Sequence, residues 1–182
     1  MTRIYRLAAN SQDYLSLIPK NPDDWQLING IDGSLLSATW QPVEVRFVAS
    51  FNQIDLQRSD FPYLSTVTPV FSKKAWDAFK HIICDEVEPL DIFTEDGTRL
   101  ILLNVVVSER ILDENRSKIV YYKSSPHEIQ AIEKYEFLED VVLENTLFRE
   151  ALCPKYGIYC TERFRRVVDK SDCTGFNFIS LS

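Results

Sequence analysis

His81 and Cys84 are the residue pair whose types and spacing come nearest to a catalytic arrangement. On a helix, residues three apart are neighbours, so the imidazole could act as a base toward the thiol. Asp85 and Glu86 follow at once, and carboxylates beside a thiol raise its pKa and oppose formation of the thiolate. We therefore interpret His81 and Cys84 as packed or surface side chains and predict no catalytic residue.

Adjacent carboxylates are a second candidate chemistry, because two acids with separated pKa values can share the roles of acid and base. The sequence places such pairs at predicted turns or strand edges, where acids are normally solvated, and adjacency alone carries little catalytic signal. The pairs are Asp85-Glu86, Glu95-Asp96, Asp113-Glu114 and Glu139-Asp140.

The density of these acids is more informative than their pairing. Residues 85–116 contain nine Asp or Glu against three Arg, and residues 133–150 contain six against two basic residues. Solubilising surface charge is one explanation. The other is a negative patch that steers a basic protein partner. For that case we predict contacts through an acidic segment, with Trp40 or Tyr63 as aromatic anchors; its residues are Asp85, Glu86, Glu88, Asp91, Glu95 and Asp96.

Metal and cofactor sites are not predicted. The four cysteines form no CxxC and have no nearby histidine pair, whereas zinc sites usually draw their ligands in close pairs. Five scattered glycines cannot form a loop that cradles phosphate. We expect four reduced thiols, mostly packed as small hydrophobic side chains.

Composition narrows the class of protein. The chain has 182 residues and 45% hydrophobic residues, and its 20 Lys and Arg against 27 Asp and Glu give a net charge of −7. Such a charge argues against binding nucleic acid through its phosphates. Arg3 and Arg6 interrupt any amino-terminal apolar signal, and Asn104 breaks the longest apolar run, which is far below the roughly 20 residues of a membrane span. We therefore expect a cytoplasmic protein with no membrane or nucleic-acid partner.

The first half of the chain predicts strands and one amphipathic helix. Residues 3–9 and 43–49 have the composition of strands, and turn residues bracket a short strand at Trp25–Ile28 rather than a helix. Ser72 is a good N-cap for a helix whose apolar positions recur at helical spacing through Ile83.

The second half predicts hairpins and further short helices. Glu95-Asp96-Gly97-Thr98 is a hairpin turn between strands at Leu90–Phe93 and Arg99–Val107, and the continuous apolarity of the latter favours a strand buried on both faces. Ser125 and Pro126 indicate a helix through about Lys134. The remaining elements are strands at 118–123, 135–143, 146–149 and 176–181 and a helix capped by Thr161.

This order predicts an α+β fold with a largely antiparallel sheet and a few flanking helices. We interpret residues 1–182 as one domain. An alternative is left open: a variable amino-terminal lobe over residues 1–60, joined through the polar stretch Gln53–Asp60 to a second region over residues 61–182.

From Ser72 onward the order of short motifs resembles a family of bacterial immunity proteins, found beside polymorphic toxins of contact-dependent or type VI-type competition systems. The resemblance covers about the last 110 residues and ends in Thr174-Gly175-Phe176-Asn177-Phe178. The other matching residues are Phe71-Ser72-Lys73-Lys74-Ala75, Phe79, Glu88-Pro89-Leu90, Leu102-Leu103-Asn104-Val105, Leu112-Asp113, Ser117, Tyr135-Glu136-Phe137, Leu147-Phe148-Arg149, Ile158-Tyr159-Cys160-Thr161 and Phe164.

The resemblance implies a protein that binds a cognate toxin, encoded by a neighbouring gene, and occludes its active site or substrate entry without catalysis. An acidic inhibitor suits a basic toxin that handles nucleic acid or nucleotides. Two alternatives stay open. The first is an enzyme that reverses a toxin-made modification with Cys84, His81 or an acid pair, and the second is an adaptor or scaffold domain unconnected with toxins.

Overall fold

The computed structural model describes residues 3–49, 55–139 and 141–181, which form an α+β fold of mixed, mostly antiparallel sheets. The helices of these residues are α1 (Asp24–Gly30), α2 (Lys73–Ile83) and α3 (Glu162–Asp169). The strands are β1 (Ile4–Ala9), β2 (Ser16–Pro19), β3 (Val43–Val48), β4 (Val70–Phe71), β5 (Val87–Thr94), β6 (Arg99–Val105), β7 (Ser108–Glu109), β8 (Lys118–Tyr122), β9 (Ser125–Lys134), β10 (Leu147–Glu150), β11 (Ile158–Thr161) and β12 (Phe176–Ser180).

Two five-stranded sheets and one hairpin contain these strands. Sheet I has the order β12-β1-β11-β10-β7, and only its β10–β7 pair is parallel. Sheet II has the order β2-β3-β5-β6-β4, and only its β3–β5 pair is parallel. Strand β1 lies between β11 and β12, so the amino-terminal segment pairs with the carboxyl-terminal part of the chain.

Helix α2 forms as the sequence predicts. The Ser72 side chain accepts a hydrogen bond from the Ala75 amide at 3.1 Å and so satisfies a free donor of the first turn. Ala75, Phe79 and Ile83 are buried on one face and join a core cluster with residues of both sheets and of α3. This cluster connects sheet I to sheet II.

The predicted β5–β6 hairpin and the closing strand β12 are also confirmed. Strand β6 is buried from Leu100 to Val105, and it lies beside the short edge strand β4. Gly175, before β12, has φ +90°, and a side chain there would lie 2.9 Å from the Phe61 carbonyl oxygen. Phe176 and Phe178 stack at 6.4 Å and pack against the core cluster between the sheets.

The predicted strand at Trp25–Ile28 is wrong, because these residues belong to helix α1. Asp24 lies in the first turn, where a carboxylate interacts favourably with the helix dipole. Trp25 and Ile28 are three apart, which on a helix places both against the apolar cluster of sheet II. The turn residues Asn21-Pro22-Asp23 thus introduce a helix rather than a strand.

The predicted helix over Ser125–Lys134 is also wrong, because this segment is strand β9, paired with β8. The pairing register of β8 with β9 shifts between Val120 and Tyr121, because Val120 pairs with Ala131 and Tyr121 with Ile129. One residue of β9 therefore has no partner at this bulge. Ile129 and Ile132, which an ideal strand would direct to opposite faces, therefore both pack in the cluster beneath the hairpin. Pairing with β8 outweighs the local helix-start signal.

The predicted strand over residues 135–143 is modified. Within 135–139 and 141–143 the structure has an isolated bridge, Phe137 to Leu112, rather than a strand. In the predicted linker, residues 53–54 lie outside the described residues. Gln57 forms an isolated β-bridge with Tyr14. The Asp60 carboxylate accepts a hydrogen bond from the Ser72 hydroxyl at 2.7 Å.

Candidate functional site: the acidic strip

The six predicted contact residues lie along one strand and its two ends, and we call them the acidic strip: Asp85, Glu86, Glu88, Asp91, Glu95 and Asp96. Asp85 and Glu86 precede β5, Glu88 and Asp91 lie on it, and Glu95 and Asp96 form the turn to β6. Strand β5 has eight residues, so roughly 23 Å separate its ends at about 3.3 Å per residue. The strip is therefore extended rather than a compact cluster.

Glu86 is buried and its carboxylate serves the backbone of the other sheet. Its side chain accepts hydrogen bonds from the amides of Thr146 at 2.5 Å and Leu147 at 2.7 Å, at the start of β10. Only 7% of the residue is exposed. Burial raises the pKa of the Glu86 carboxyl, while the two amide donors oppose that shift. The expectation of a solvated acid is wrong for this residue.

Glu88 is buried as well, at 8% exposure, and it organises the loop before β3. It accepts hydrogen bonds from the amides of Leu36 at 2.8 Å and Ser37 at 2.7 Å, and from the Asn104 side chain at 2.9 Å. Burial alone would raise the pKa of Glu88, but the hydrogen bonds outweigh it, so the pKa lies below its ordinary value. Asn104, which is fully buried, also donates to the Ser34 carbonyl at 2.7 Å.

Asp91 and Asp96 each form an ion pair with a surface arginine. Asp91 is half-buried and forms an ion pair with Arg99 at 2.6 Å, and Asp96 is exposed and forms one with Arg58 at 2.8 Å. A hydrogen bond from Thr94 lowers the pKa of Asp96 well below its usual range, and Thr98 and Arg58 add to this effect. Such neutralised carboxylates add little to the field felt by a distant partner.

Asp85 and Glu95 are exposed and form no ion pair with any residue that the structure describes. Glu95 is presented by a well-ordered turn, in which the Gly97 amide donates to the Thr94 carbonyl at 2.8 Å and Gly97 has φ +79°. The Thr98 amide donates to the Thr94 hydroxyl at 3.1 Å, which closes the same turn. The acids of the strip without an ion pair thus lie at its two ends, and Lys20 interacts with Glu95 at longer range.

The two predicted aromatic anchors differ in exposure. Trp40 is half-buried, packs against the sheet II cluster and donates from Nε1 to the Asp91 carbonyl at 2.9 Å. Tyr63 is 36% exposed, and its carbonyl accepts from the Leu17 amide at 2.6 Å. Of the two, Tyr63 has the larger exposed fraction.

The Cys84 thiol contacts an acid rather than a base. It lies at the end of α2, and its Sγ is 3.7 Å from a carboxylate oxygen of Asp85. Burial raises the pKa of Cys153 to about 12 and also raises that of Cys160. Within the described ranges no group of three or more His, Cys, Asp or Glu residues is placed to hold a metal ion.

Sequence reasoning missed two charged residues of β10. Arg149 is fully buried and donates to the carbonyls of Val105 at 2.8 Å, Pro154 at 2.7 Å and Val67 at 3.1 Å. Burial lowers its pKa to about 10. Arg149 is two residues beyond Leu147, and this period-two spacing was the signal that the guanidinium faces the core.

Glu150, the next residue, is buried on the opposite face of β10. Its carboxylate accepts from the amides of Ile111 at 3.1 Å, Leu112 at 3.3 Å and Leu152 at 3.1 Å. Burial raises the pKa of Glu150 despite these donors. Arg149 and Glu150 therefore serve the backbone on the two sides of sheet I.

No protein-family model matches the chain, and a search of the curated proteins finds no match. The resemblance to immunity proteins stays a prediction from the string of motifs between Phe71 and Phe178. Among the described residues, no helix combines the length and the apolar character that a membrane crossing requires.

Proposed function

We propose that this protein is an immunity protein, which binds a cognate bacterial toxin in the cytoplasm and covers its active site or substrate entry. The toxin is a basic protein encoded by a neighbouring gene, and neutralisation requires no chemistry by this chain. The order of motifs from Ser72 to Phe178 and the net charge of −7 support this proposal.

The observation that carries the proposal is the free charge of Asp85 and Glu95. Asp91 and Asp96 form ion pairs within the chain, whereas these two acids form none with the described residues. Unpaired exposed carboxylates attract a basic partner over a distance of about one Debye length and accelerate association. A toxin surface that binds phosphate groups provides complementary cations at such positions.

The order of the β5–β6 turn supports the same role for Glu95. Its neighbours Thr94, Gly97 and Thr98 are fixed by mutual hydrogen bonds, so little conformational freedom remains to be lost when a partner binds. Binding groups that are ordered in advance lose less entropy on association. The turn thus fixes the backbone from which the Glu95 side chain extends. Tyr63 lies elsewhere on the surface as an aromatic contact.

Co-expression with the product of the gene immediately upstream tests the proposal. We expect that product to be toxic alone, to be neutralised by this protein and to co-elute with it at a fixed stoichiometry. Rescue at substoichiometric amounts without a complex would instead favour an enzyme that reverses a modification. A partner without protection would favour the adaptor function.

A charge-reversal experiment tests the strip itself. The double variant Asp85→Lys/Glu95→Lys should associate with the toxin more slowly than the wild type, and its rate should depend less on salt. Asp13→Lys/Glu144→Lys changes the net charge by the same amount at two other exposed acids that form no ion pair with the described residues, and it is the matched control. Equal association rates of the two double variants at low salt would remove the strip from the interface.

A further inference from the structure

A small cavity beside β1 has a charge opposite to that of the protein as a whole. It has a volume of about 170 Å³ and lies between the end of β1 and the loop of residues 61–69. Among the described residues, its lining includes Arg6 and no Asp or Glu, although the chain has 27 acidic residues. The cavity is thus a local site of positive charge.

Arg6 has no counter-ion among the residues that the structure describes. The residue is half-buried, yet its side chain forms no hydrogen bond or ion pair within the described ranges. Arg149, by comparison, places its guanidinium against three backbone carbonyls. A guanidinium has five donors in a planar fork that fits carboxylate and phosphate groups. Arg6 therefore retains its donor capacity for a ligand.

Hydroxyl groups in the same lining add further donors. Tyr156 Oη accepts a hydrogen bond from the Ile132 amide at 3.0 Å, so its own proton remains available. The hydroxyls of Ser65 and Thr68 lie 2.6 Å apart, and one proton of this pair satisfies their mutual bond while the other is left to donate. A guanidinium with nearby hydroxyl donors is a suitable environment for an oxyanion.

Most of the rest of the wall is apolar, and Ser11 and Thr66 add polar groups to it. Strand β1 pairs with β11 only as far as Leu7, so at Ala8 and Ala9 it pairs with β12 alone and its other edge is open. Ala8 and Ala9 line the cavity together with Phe61 and Pro69. The volume is below the roughly 300–1,000 Å³ of sites for drug-sized ligands, which indicates a ligand of few atoms.

We propose that this cavity binds a small organic anion, whose carboxylate or phosphate group is held by Arg6 and whose apolar part lies against Ala8, Ala9 and Phe61. This activity goes beyond toxin binding, since it requires neither a toxin nor the acidic strip. Tyr63 also lines the cavity and is exposed at its edge, so the bound anion lies close to a surface residue.

Titration of the full chain with four probes, followed by amide resonances in NMR spectra, tests this assignment. Benzoate and phenyl phosphate should shift the Ala8 and Ala9 amides saturably, and the tighter of the two identifies the preferred anionic group. Benzyl alcohol, the neutral analogue of benzoate, should bind at least about tenfold more weakly, because it lacks the charge-assisted hydrogen bonds. Inorganic phosphate should bind more weakly than phenyl phosphate, because it lacks the apolar part.

Three variants complete the test. Arg6→Gln should weaken benzoate binding at least about tenfold, whereas Arg46→Gln, at an exposed arginine of β3, should leave it unchanged. Ala8→Leu keeps the charge but fills the cavity and should also abolish binding, which provides a test that does not depend on the folding of Arg6→Gln. The proposal is overturned if benzyl alcohol binds as tightly as benzoate, if no probe shifts these amides, or if Ala8→Leu binds like the wild type.

Discussion

Asp85 and Glu86 are adjacent acids of the same strip, and they serve opposite purposes. The carboxylate of Glu86 is buried against the amides of Thr146 and Leu147, whereas that of Asp85 is exposed and forms no ion pair within the described residues. Buried backbone donors must be satisfied, so a carboxylate that accepts from them is part of the fold. The strip therefore divides into structural acids, Glu86 and Glu88, and acids available to a partner.

Glu86 and Arg149 also connect the same two sheets without forming a salt bridge with each other. Glu86 precedes β5 of sheet II and accepts from β10 of sheet I, while Arg149 on β10 donates to Val105 at the end of β6 in sheet II. Each charge is compensated by backbone groups. Removing either side chain leaves several buried polar groups unsatisfied, which costs more than the loss of a surface ion pair.

Arg149→Leu tests the contrast between a buried charge and a surface ion pair. Of the substitutions considered, it has the largest expected effect on the free energy of unfolding. The substitution removes the donors to three buried carbonyls, and we expect it to lower the free energy of unfolding by about 3–5 kcal/mol. Urea denaturation followed by tryptophan fluorescence measures the change. Arg166→Leu, at an exposed ion pair with Glu162, is the control and should change stability by no more than about 1 kcal/mol. Equal losses in the two variants would contradict a structural role for the buried guanidinium.

Glu86→Ala should have the second largest effect and lower the free energy of unfolding by about 2–4 kcal/mol. The substitution leaves the amides of Thr146 and Leu147 without an acceptor. Asp85→Ala is the matched neighbour and should stay within about 0.5 kcal/mol of the wild type. The same denaturation measurement compares them. If Asp85→Ala were the more damaging of the two, the division of the strip would be wrong.

The two buried glutamates should respond to acid in opposite directions. The pKa of Glu88 is lowered in the folded state, so its contribution is complete above its ordinary value of 4.5 and is lost as the pH falls through the folded pKa. The pKa of Glu86 is raised above 4.5, so its contribution is complete below 4.5 and is lost as the pH rises through the folded pKa.

Glutamine substitutions separate these two effects. Compared with the wild type, Glu88→Gln should lose less stability on acidification below pH 4.5, whereas Glu86→Gln should lose more between its raised pKa and pH 4.5. Unfolding free energies measured across this pH range provide the test. Parallel profiles for the two variants would contradict the assigned directions.

The smallest effect on stability is expected at the exposed ends of the strip. Asp85→Asn/Glu95→Gln should change the free energy of unfolding by no more than about 0.5 kcal/mol, since neither carboxylate has an ion-pair partner among the described residues. The same double variant should slow association with the toxin at low salt, and the difference should shrink as salt is added. A large loss of stability without a kinetic effect would place these acids in the fold rather than at an interface.

Local signals predicted much of the fold. The N-cap at Ser72 and the Asp96-Gly97 turn each depend on a few neighbouring residues, and both are confirmed. The same kind of signal failed at Ser125–Lys134, where pairing with β8 decided the outcome. It also failed at Asp24–Gly30, where the apolar cluster of sheet II stabilises a short helix. Short elements with weak intrinsic preference follow their tertiary contacts.

At the candidate site, too, local sequence signals could not predict what tertiary contacts decide. Charge density identified residues 85–96 as acidic, but it could not separate Glu86 and Glu88 from Asp85 and Glu95, because exposure depends on which strands and loops pack around each side chain. The cavity at Arg6 was not predicted, since its lining comes from β1, from residues 61–69 and from Tyr156, which are distant in sequence.

The sequence by itself determined the fold class, the net charge, the α2 helix and the β5–β6 hairpin, since these follow from composition and from contacts between near neighbours. Only the tertiary structure decided which charges are buried. Glu86, Glu88, Arg149 and Glu150 each complete hydrogen bonds of backbone groups from other segments, and those groups come together only when the chain folds.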